Sequence, residues 1–134
     1  MADYTEKPKN WRDLPPGELA ALMNRKSEGY LPALLGFTLT SVSKDRVTAR
    51  MAVQKRHLAP NDYLHAASVI ALADTVCGFA TIVNLPEGSG GFTTIELKTN
   101  FLGTTRDGAI LCEGRPAHIG RRTMVWDARV WDEK

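Results

Sequence analysis

Residues 65–80 read HAASVIALADTVCGFA, and this stretch decides how the chain folds. The side chains from Ala66 to Val83 are small or apolar with a single exception, the carboxylate of Asp74. Such a run predicts a long helix that is apolar on every face, and a helix of this kind is normally buried on every face. An unpaired carboxylate in such a place costs roughly several kcal/mol unless it is protonated, hydrogen-bonded or used in chemistry. The sequence therefore singles out Asp74.

The same run approaches the length of about 20 residues that a membrane-spanning helix needs. Asp74 lies at its centre, however, which is the costliest depth for a charge in a bilayer. The run is also rich in Ala, Ser, Thr and Gly, and no membrane pattern continues after it. We therefore expect a core helix and no membrane partner.

Length and composition predict one globular domain. The 134 residues are 43% hydrophobic and 24% charged, which fits a single domain over residues 1–134 with residues 1–10 as a polar, flexible tail. The 17 basic and 15 acidic residues are scattered along the chain, so nucleic-acid binding has little support.

The cysteines and the N-terminus indicate the compartment. Cys77 and Cys112 have no second Cys or His at the short spacing of a zinc or redox motif. The first residues are acidic and contain prolines, where an export signal would have a basic start and an apolar run. We expect a cytoplasmic protein with reduced thiols, no metal and no cofactor.

The residues on both sides of the helical run predict an antiparallel sheet. Before the run we predict a short amphipathic helix from Pro16 to about Ser27, an irregular packed segment at 29–36 and a hairpin over 37–53. After it come three alternating segments joined by short turns, at 92–102, 109–119 and 121–132. The predicted fold class is α+β: a curved antiparallel sheet of about five strands wraps the central helix, and a second copy of the chain covers what remains exposed.

The spacing of His65 and Asp74 predicts where their side chains point. Nine residues at 100° each give two and a half turns and a rise of roughly 13 Å, so the two side chains lie on opposite sides of the helix. One helix cannot bring both groups into a single pocket. A site that uses both ends of this stretch must take one of them from another chain, which favours a two-fold dimer with two identical sites.

The amides of Ala66 and Ala67 fall at the predicted start of this helix. Backbone N–H groups at a helix start lack intrahelical acceptors, and the helix dipole favours negative charge there. That position suits a developing oxyanion. A carboxylate from the partner chain, facing the same point, could attack a polarised carbonyl or activate water to attack it. These are the parts of an acyl-transfer site.

Three stretches resemble the PaaI-like hotdog thioesterases: HLAPNDYLHAASVIALADT at 57–75, TIELKTNFLGTTRDG at 94–108 and AHIGRRTMVWDARVWD at 117–132. The resemblance covers about residues 30–132, and it is the order of the motifs that makes it specific. It implies a hotdog fold, assembly into dimers and often into dimers of dimers, and hydrolysis of acyl-coenzyme A thioesters without a metal.

The resemblance also implies roles for particular residues. Asp74 matches the carboxylate that acts as nucleophile or general base, and Ala66 stands where the backbone N–H polarises the thioester carbonyl. His65 matches the histidine that shapes this turn. Thr94 falls where relatives carry a Ser or Thr that helps to hold water near the carboxylate. In the family, the oxyanion turn and the acid come from different subunits.

This sequence departs from the family pattern in three places. Ala59 replaces an Asn that positions the nucleophile or the water, and Asn61 is a candidate substitute. Ala66 and Ala67 replace two glycines, and a positive φ at either position would be strained. Finally, relatives continue past the position of Lys134 into another strand, so we expect either a sheet that is one strand shorter or a truncated sequence.

A purely structural interpretation stays open for most of these residues. Asp74 could be a structural acid, His65 a satisfied turn histidine and Thr94 part of the strand surface. Arg121 and Arg122 could hold the phosphates of coenzyme A, a task that suits guanidinium groups, or form a solvated hairpin tip.

Other residues are assigned structural places only. We interpret His57 and His118 as surface or strand residues, and Cys77 as part of the packing.

The resulting prediction is a cytoplasmic acyl-CoA thioesterase acting on a small, medium-sized or aryl acyl group. Its candidate catalytic residues are Asp74, Ala66, His65 and Thr94, and its candidate substrate-binding residues are Asn61, Ala67, Arg121 and Arg122. An acyl-CoA-binding hotdog protein with little or no hydrolysis is the alternative, and a purely structural dimer is a third possibility. The acyl group, the choice between dimer and tetramer, and the choice between nucleophile and general base stay open.

Overall fold

The computed structural model describes residues 10–134, so nearly all of the predicted tail lies outside the described residues. The central element is helix α3, Ala66–Asn84, which confirms the predicted core helix. His65 caps its start, and Pro86 follows shortly after its last residue. The buried side chains of α3 recur every three or four residues and therefore form one stripe along the helix: Ser68, Leu72, Val76, Ala80 and Val83.

Two further helices precede the sheet. Helix α1, Pro16–Lys26, agrees with the predicted amphipathic helix, and its apolar side chains enter the core. The segment predicted to be irregular contains a single helical turn, α2, Leu31–Leu34. Gly36 follows with a φ of 75°, a left-handed conformation that glycine adopts without strain and that turns the chain into the sheet. Single turns of 3-10 helix also occur at Trp11–Asp13 and Lys55–His57.

Within the described residues, the sheet has four antiparallel strands in chain order. They are β1 Phe37–Val42, β2 Val47–Ala52, β3 Ala109–Ile119 and β4 Met124–Asp132. Along β1, β2 and the first half of β3, about every second residue is buried, and these residues pack with α3 in one core. This confirms the predicted hairpin and the sheet wrapped around the helix.

Helix and sheet meet most closely at Gly114 of β3. A Cβ atom at this position would lie 2.8 Å from Cγ1 of Val76, a distance that real Cβ contacts do not show. The absence of a side chain at Gly114 therefore sets how near α3 lies to the sheet.

The predicted strand at 92–102 is wrong for the single chain. The structure assigns no strand between Leu85 and Asp107, and β4 is hydrogen-bonded to β3 along only one of its edges. Alternation of side chains shows that a segment can pair, but pairing also needs the free edge of a neighbouring strand in register. The outer edge of β4 stays unpaired, and 92–102 is not hydrogen-bonded to it, so apolar side chains of this segment stay in solvent, with Ile95 82% and Leu102 96% exposed.

Helix α3 is also not buried on every face. The sheet covers the buried stripe, whereas on the other side of the helix Asp74 is exposed and its neighbours Ile70, Cys77 and Gly78 are only partly buried. By length and composition α3 could cross a membrane, but the core helix of a globular fold passes the same test. The segment 92–102 begins beside the partly open side of α3, because a Cβ atom at Gly78 would lie 3.3 Å from Cζ of Phe92.

Candidate active site

The start of α3 presents one free backbone donor. His65 has an extended backbone, and its Nδ1 atom accepts a hydrogen bond of 2.9 Å from the N–H of Ala67. The N–H of Ser68 donates to the carbonyl of His65, also at 2.9 Å. Among residues 10–134, no acceptor is found for the N–H of Ala66.

The direction of this free donor follows from peptide geometry. The carbonyl of His65 points into the helix, towards the N–H of Ser68. In a trans peptide the C=O and the following N–H point in opposite directions, so the N–H of Ala66 points out of the helix start. An unsatisfied N–H at the positive end of a 19-residue helix is a suitable donor to an oxyanion.

The two alanines fit this turn without strain. Ala66 and Ala67 both lie in α3, and neither has a positive φ, so the glycines of the family are not needed here. The Ala67 amide, predicted to contact substrate, is bonded to His65 and completes the cap instead. In this region the residue with a positive φ is Asp62, at 63°, within the loop that leads into α3.

Asp74 has a specific neighbour. The Oγ1 atom of Thr94 lies 3.1 Å from Oδ1 of Asp74 and donates a hydrogen bond to the carboxylate. The structure thus brings together two residues that are 20 positions apart in the chain, on the exposed side of α3. A carboxylate that is accessible and has one hydroxyl donor keeps lone pairs free for water or for a carbonyl carbon.

Within one chain the free donor and the carboxylate are separated. Ala66 is the first residue of α3 and Asp74 the ninth, a rise of about 12 Å along the helix axis. A single carbonyl group cannot contact both of them at once. The two groups are therefore separate candidate half-sites on one chain: an amide donor at the start of α3, and a carboxylate with its hydroxyl partner near the middle.

Asn61 is used by its own loop. Its Oδ1 accepts a hydrogen bond of 3.2 Å from the N–H of Tyr63, an Asx turn, and its side chain is exposed. The N–H of Ala59 donates to the carbonyl of Tyr63 at 2.7 Å, and a bridge between Leu58 and Leu64 closes the loop. The side-chain oxygen of Asn61 thus stabilises the turn before α3.

Arg121 and Arg122 lie at the tip of the β3–β4 hairpin, and both are exposed. The start of α3 adjoins the other end of β3, because the N–H of Leu64 donates to the carbonyl of Thr105 at 2.9 Å. The structure of one chain therefore does not bring this arginine pair to the free amide of Ala66.

His57 is the residue that sequence reasoning missed. The prediction of a surface or strand residue is wrong, because His57 is 0% exposed and lies in a 3-10 turn. Its Nδ1 accepts from the N–H of Gln54 at 2.9 Å, and its Nε2 lies 2.7 Å from the carbonyl of Leu35. No spacing signal reveals this environment, since Leu35 is 22 positions away. His118, by contrast, is an exposed residue of β3, as predicted.

The thiols are poor nucleophiles. Burial, reinforced by the negative charges of Asp74 and Asp127, raises the pKa of Cys77 to about 11. Burial, with Cys77 and Glu113 nearby, raises the pKa of Cys112 to about 12. Both thiols are free and protonated at neutral pH. Within residues 10–134 there is no group of three or more His, Cys, Asp or Glu that could hold a metal ion.

Comparison with known proteins identifies the class. Residues 61–134, more than half of the chain, match the family model of the Thioesterase superfamily, and the chain belongs to this superfamily. The proofreading thioesterase EntH of Klebsiella pneumoniae is 32% identical over 114 residues, which cover 85% of this chain and 82% of that protein. The 1,4-dihydroxy-2-naphthoyl-CoA hydrolase of Escherichia coli is 27% identical over 112 residues, covering 84% and 82%.

Solved structures agree with this assignment. A thioesterase of Pseudomonas aeruginosa superposes with a TM-score of 0.81 at 26% identity, over 85% of this chain and 82% of that one. The predicted hotdog fold and the predicted class, a thioester hydrolase, are therefore confirmed, with four strands in the described sheet where about five were expected.

Proposed function

We propose that this protein hydrolyses an acyl-CoA thioester with a small, medium-sized or aryl acyl group, at a site shared by two copies of the chain. The observation that carries the proposal is the pair of half-sites on α3: the free N–H of Ala66 and the carboxylate of Asp74 with the Thr94 hydroxyl. The coenzyme A part of the substrate is supported by the E. coli relative, whose name specifies a CoA thioester.

In the proposed reaction, the N–H of Ala66 from one copy binds the thioester carbonyl oxygen and stabilises the negative charge that develops there. Asp74 of the other copy either takes a proton from a water molecule that attacks the carbonyl carbon, or attacks that carbon itself to form an anhydride that water then hydrolyses. The carbon–sulfur bond breaks and the sulfur leaves as the thiol of coenzyme A. The products are the free acid and coenzyme A, and one water is consumed.

The second copy is supported by what one chain leaves uncovered. Apolar side chains at 92–102 are exposed next to the open side of α3, and a second chain would remove this area from water. A two-fold arrangement can also bring the helix start of each copy to the carboxylate of the other. We extend the proposal to a dimer of such dimers, to phosphate contacts by Arg121 and Arg122, and to a cytoplasmic location.

The first test is thiol release from a panel of acyl-CoA thioesters. We expect turnover of at least one member, and we expect Asp74→Asn to lower kcat by about 100-fold or more, since the amide retains the shape but neither attacks nor accepts the proton. Glu87→Gln, which removes an exposed carboxylate beyond the end of α3, is the matched control and should be unchanged. Equal turnover by Asp74→Asn would contradict the proposal.

The second test asks whether the site is shared. Ala66→Pro removes the free N–H, and proline is tolerated there because Ala66 is the first residue of α3 and His65 has a ψ of 133°. Each homodimer, Ala66→Pro or Asp74→Asn, should be nearly inactive. A heterodimer purified through two different tags contains one intact site and should recover about half of the wild-type kcat per dimer. A heterodimer as inactive as its parents would exclude a shared site.

The alternative of an acyl-CoA-binding protein with little hydrolysis now depends on Ala59, because the alanines at the helix start are unstrained. A methyl group at this position cannot orient a nucleophile or a water molecule. Tight binding of acyl-CoA without thiol release would support this alternative. In that case Ala59→Asn should raise turnover. Unchanged turnover in this variant would contradict the idea that Ala59 caused a loss of hydrolysis.

A further inference from the structure

We propose that His57 is a positioning residue, whose buried imidazole holds the peptide carbonyl that fixes the direction of the free Ala66 N–H. The inference rests on the proposed function, because it assigns a role within the same site. His57 does not need to contact the substrate for this role. It acts through the turn before α3.

The His57 ring is held at both nitrogens. Nδ1 lies 2.9 Å from the N–H of Gln54, and Nε2 lies 2.7 Å from the carbonyl oxygen of Leu35. A peptide N–H only donates and a carbonyl only accepts, so the ring is neutral with its proton on Nε2. The backbone N–H of His57 also donates to the carbonyl of Gln54 at 2.8 Å. A wholly buried residue with three such bonds cannot rotate without leaving polar groups unpaired.

The His57 carbonyl in turn holds the start of α3. It accepts one hydrogen bond from the N–H of His65 at 2.9 Å and a second from Oγ of Ser68 at 2.8 Å. These two donors come from the residues on either side of the Ala66–Ala67 pair. The peptide unit between His65 and Ala66 is therefore anchored from both directions, and its N–H is the group left pointing outwards.

Through these hydrogen bonds, the His57 ring controls the position of the Ala66 N–H relative to the oxyanion. An oxyanion donor is effective at 2.7–3.1 Å from the position that the oxyanion reaches, and a displacement of about 1 Å can cost about 100-fold in rate. Loss of the bond to Leu35 would free the 3-10 turn, and with it the carbonyl that holds His65 and Ser68. The effect should appear mainly in kcat, because the groups that hold the rest of the substrate are untouched.

The test compares three substitutions. His57→Leu removes both ring contacts, and we expect kcat to fall about 10- to 100-fold with KM within about twofold of wild type. His57→Gln can still donate to Leu35 and should recover most of kcat. His118→Gln, at the exposed histidine of β3, is the matched control and should be unchanged. All assays are run well below the measured Tm of each variant, so that unfolding does not contribute.

A second measurement does not depend on turnover. The backbone amide NMR signals of His65, Ala66 and Ser68 should move in His57→Leu and return towards wild type in His57→Gln. If the wild-type protein released no thiol from any acyl-CoA, the proposed function would fail, while these signals would still decide the role of His57. Unmoved amide signals, or an unchanged kcat in His57→Leu, would overturn the inference.

A third variant keeps the test decisive if His57→Leu does not fold. His57→Asn can accept from the N–H of Gln54 but is too short to reach Leu35. It should lose kcat and shift the Ala66 amide signal, whereas His57→Gln should do neither. Equal behaviour of the two variants would overturn the role of the Leu35 contact.

Discussion

The hydroxyl of Thr94 donates a hydrogen bond to Oδ1 of Asp74 across 3.1 Å, although Thr94 lies in a segment that is not paired with any strand of residues 10–134. Residues 92–94 lie against α3 through this bond and through the contact of Phe92 with Gly78. The carboxylate therefore has a hydrogen-bond donor within its own chain.

Thr94→Val tests the contribution of this hydroxyl to catalysis. Valine has nearly the same shape but cannot donate, so the carboxylate loses a bond of the kind that contributes about 1.5–3 kcal/mol. We expect kcat to fall about tenfold on the best acyl-CoA substrate, because Asp74 is less well oriented. The neighbouring Thr93 is exposed, so Thr93→Val is the matched control and should leave kcat unchanged. If both variants turned over at the wild-type rate, Thr94 would be part of the surface only.

Gly114→Ala should destabilise the fold. The new methyl group would lie 2.8 Å from Cγ1 of Val76, which forces α3 away from the sheet. We expect a loss of about 1–3 kcal/mol in the free energy of unfolding, measured by urea denaturation at fixed protein concentration.

Three further variants serve as controls for Gly114→Ala: Gly17→Ala, Val76→Ala, and the combination of Gly114→Ala with Val76→Ala. Gly17→Ala meets nothing within 4 Å and lies in α1, so it should raise the free energy of unfolding by about 0.5–1 kcal/mol. Combining Gly114→Ala with Val76→Ala should give a smaller loss than the sum of the two single losses, because the second change makes room for the first. Strict additivity would show that the clash is not between these side chains.

Asp62 should tolerate glycine better than alanine. Its φ of 63° is left-handed, and this conformation costs an L-residue roughly 1 kcal/mol that glycine does not lose. We expect Asp62→Gly to raise the free energy of unfolding by about 0.5–1 kcal/mol and Asp62→Ala to lower it, both from thermal or urea unfolding. The opposite order would mean that the Asp62 side chain stabilises the loop by more than its backbone conformation costs.

Cys77 should react slowly in the folded protein. Its pKa is raised from 9.0 to about 11, so at pH 8 the thiolate fraction falls roughly 100-fold relative to an ordinary cysteine. Alkylation by iodoacetamide, followed by mass spectrometry, should be slow in the native protein and fast in urea. Rapid alkylation of native Cys77 at pH 8 would contradict this prediction.

The same shift makes stability depend on pH. A thiol whose pKa is higher in the folded state than in the unfolded state contributes stability below pH 9, and that contribution is lost as the pH rises towards 11. The free energy of unfolding should therefore decrease between about pH 9 and pH 11. Cys77→Ala should show a weaker decrease over this interval.

Local patterns in the sequence were enough to predict most of the elements. The apolar run gave α3, the prolines and helical spacing gave α1, and the alternating runs gave β1 to β4 with their turns. The separation of the Ala66 amide from Asp74 along one helix was equally predictable, because helix geometry converts a spacing in residues into an angle and a distance.

Only the tertiary structure decided three other features. Segment 92–102 has the alternation of a strand but is not hydrogen-bonded to the free edge of β4, since pairing between strands depends on two segments in register and not on one. His57 became the anchor of the turn because Leu35, far away in sequence, lies against its ring. The choice of Ala66 over Ala67 as free donor depended on the orientation of the His65 side chain, which no spacing rule supplies. Sequence determines what each segment can form, whereas long-range contacts determine which of its polar groups are left free to act.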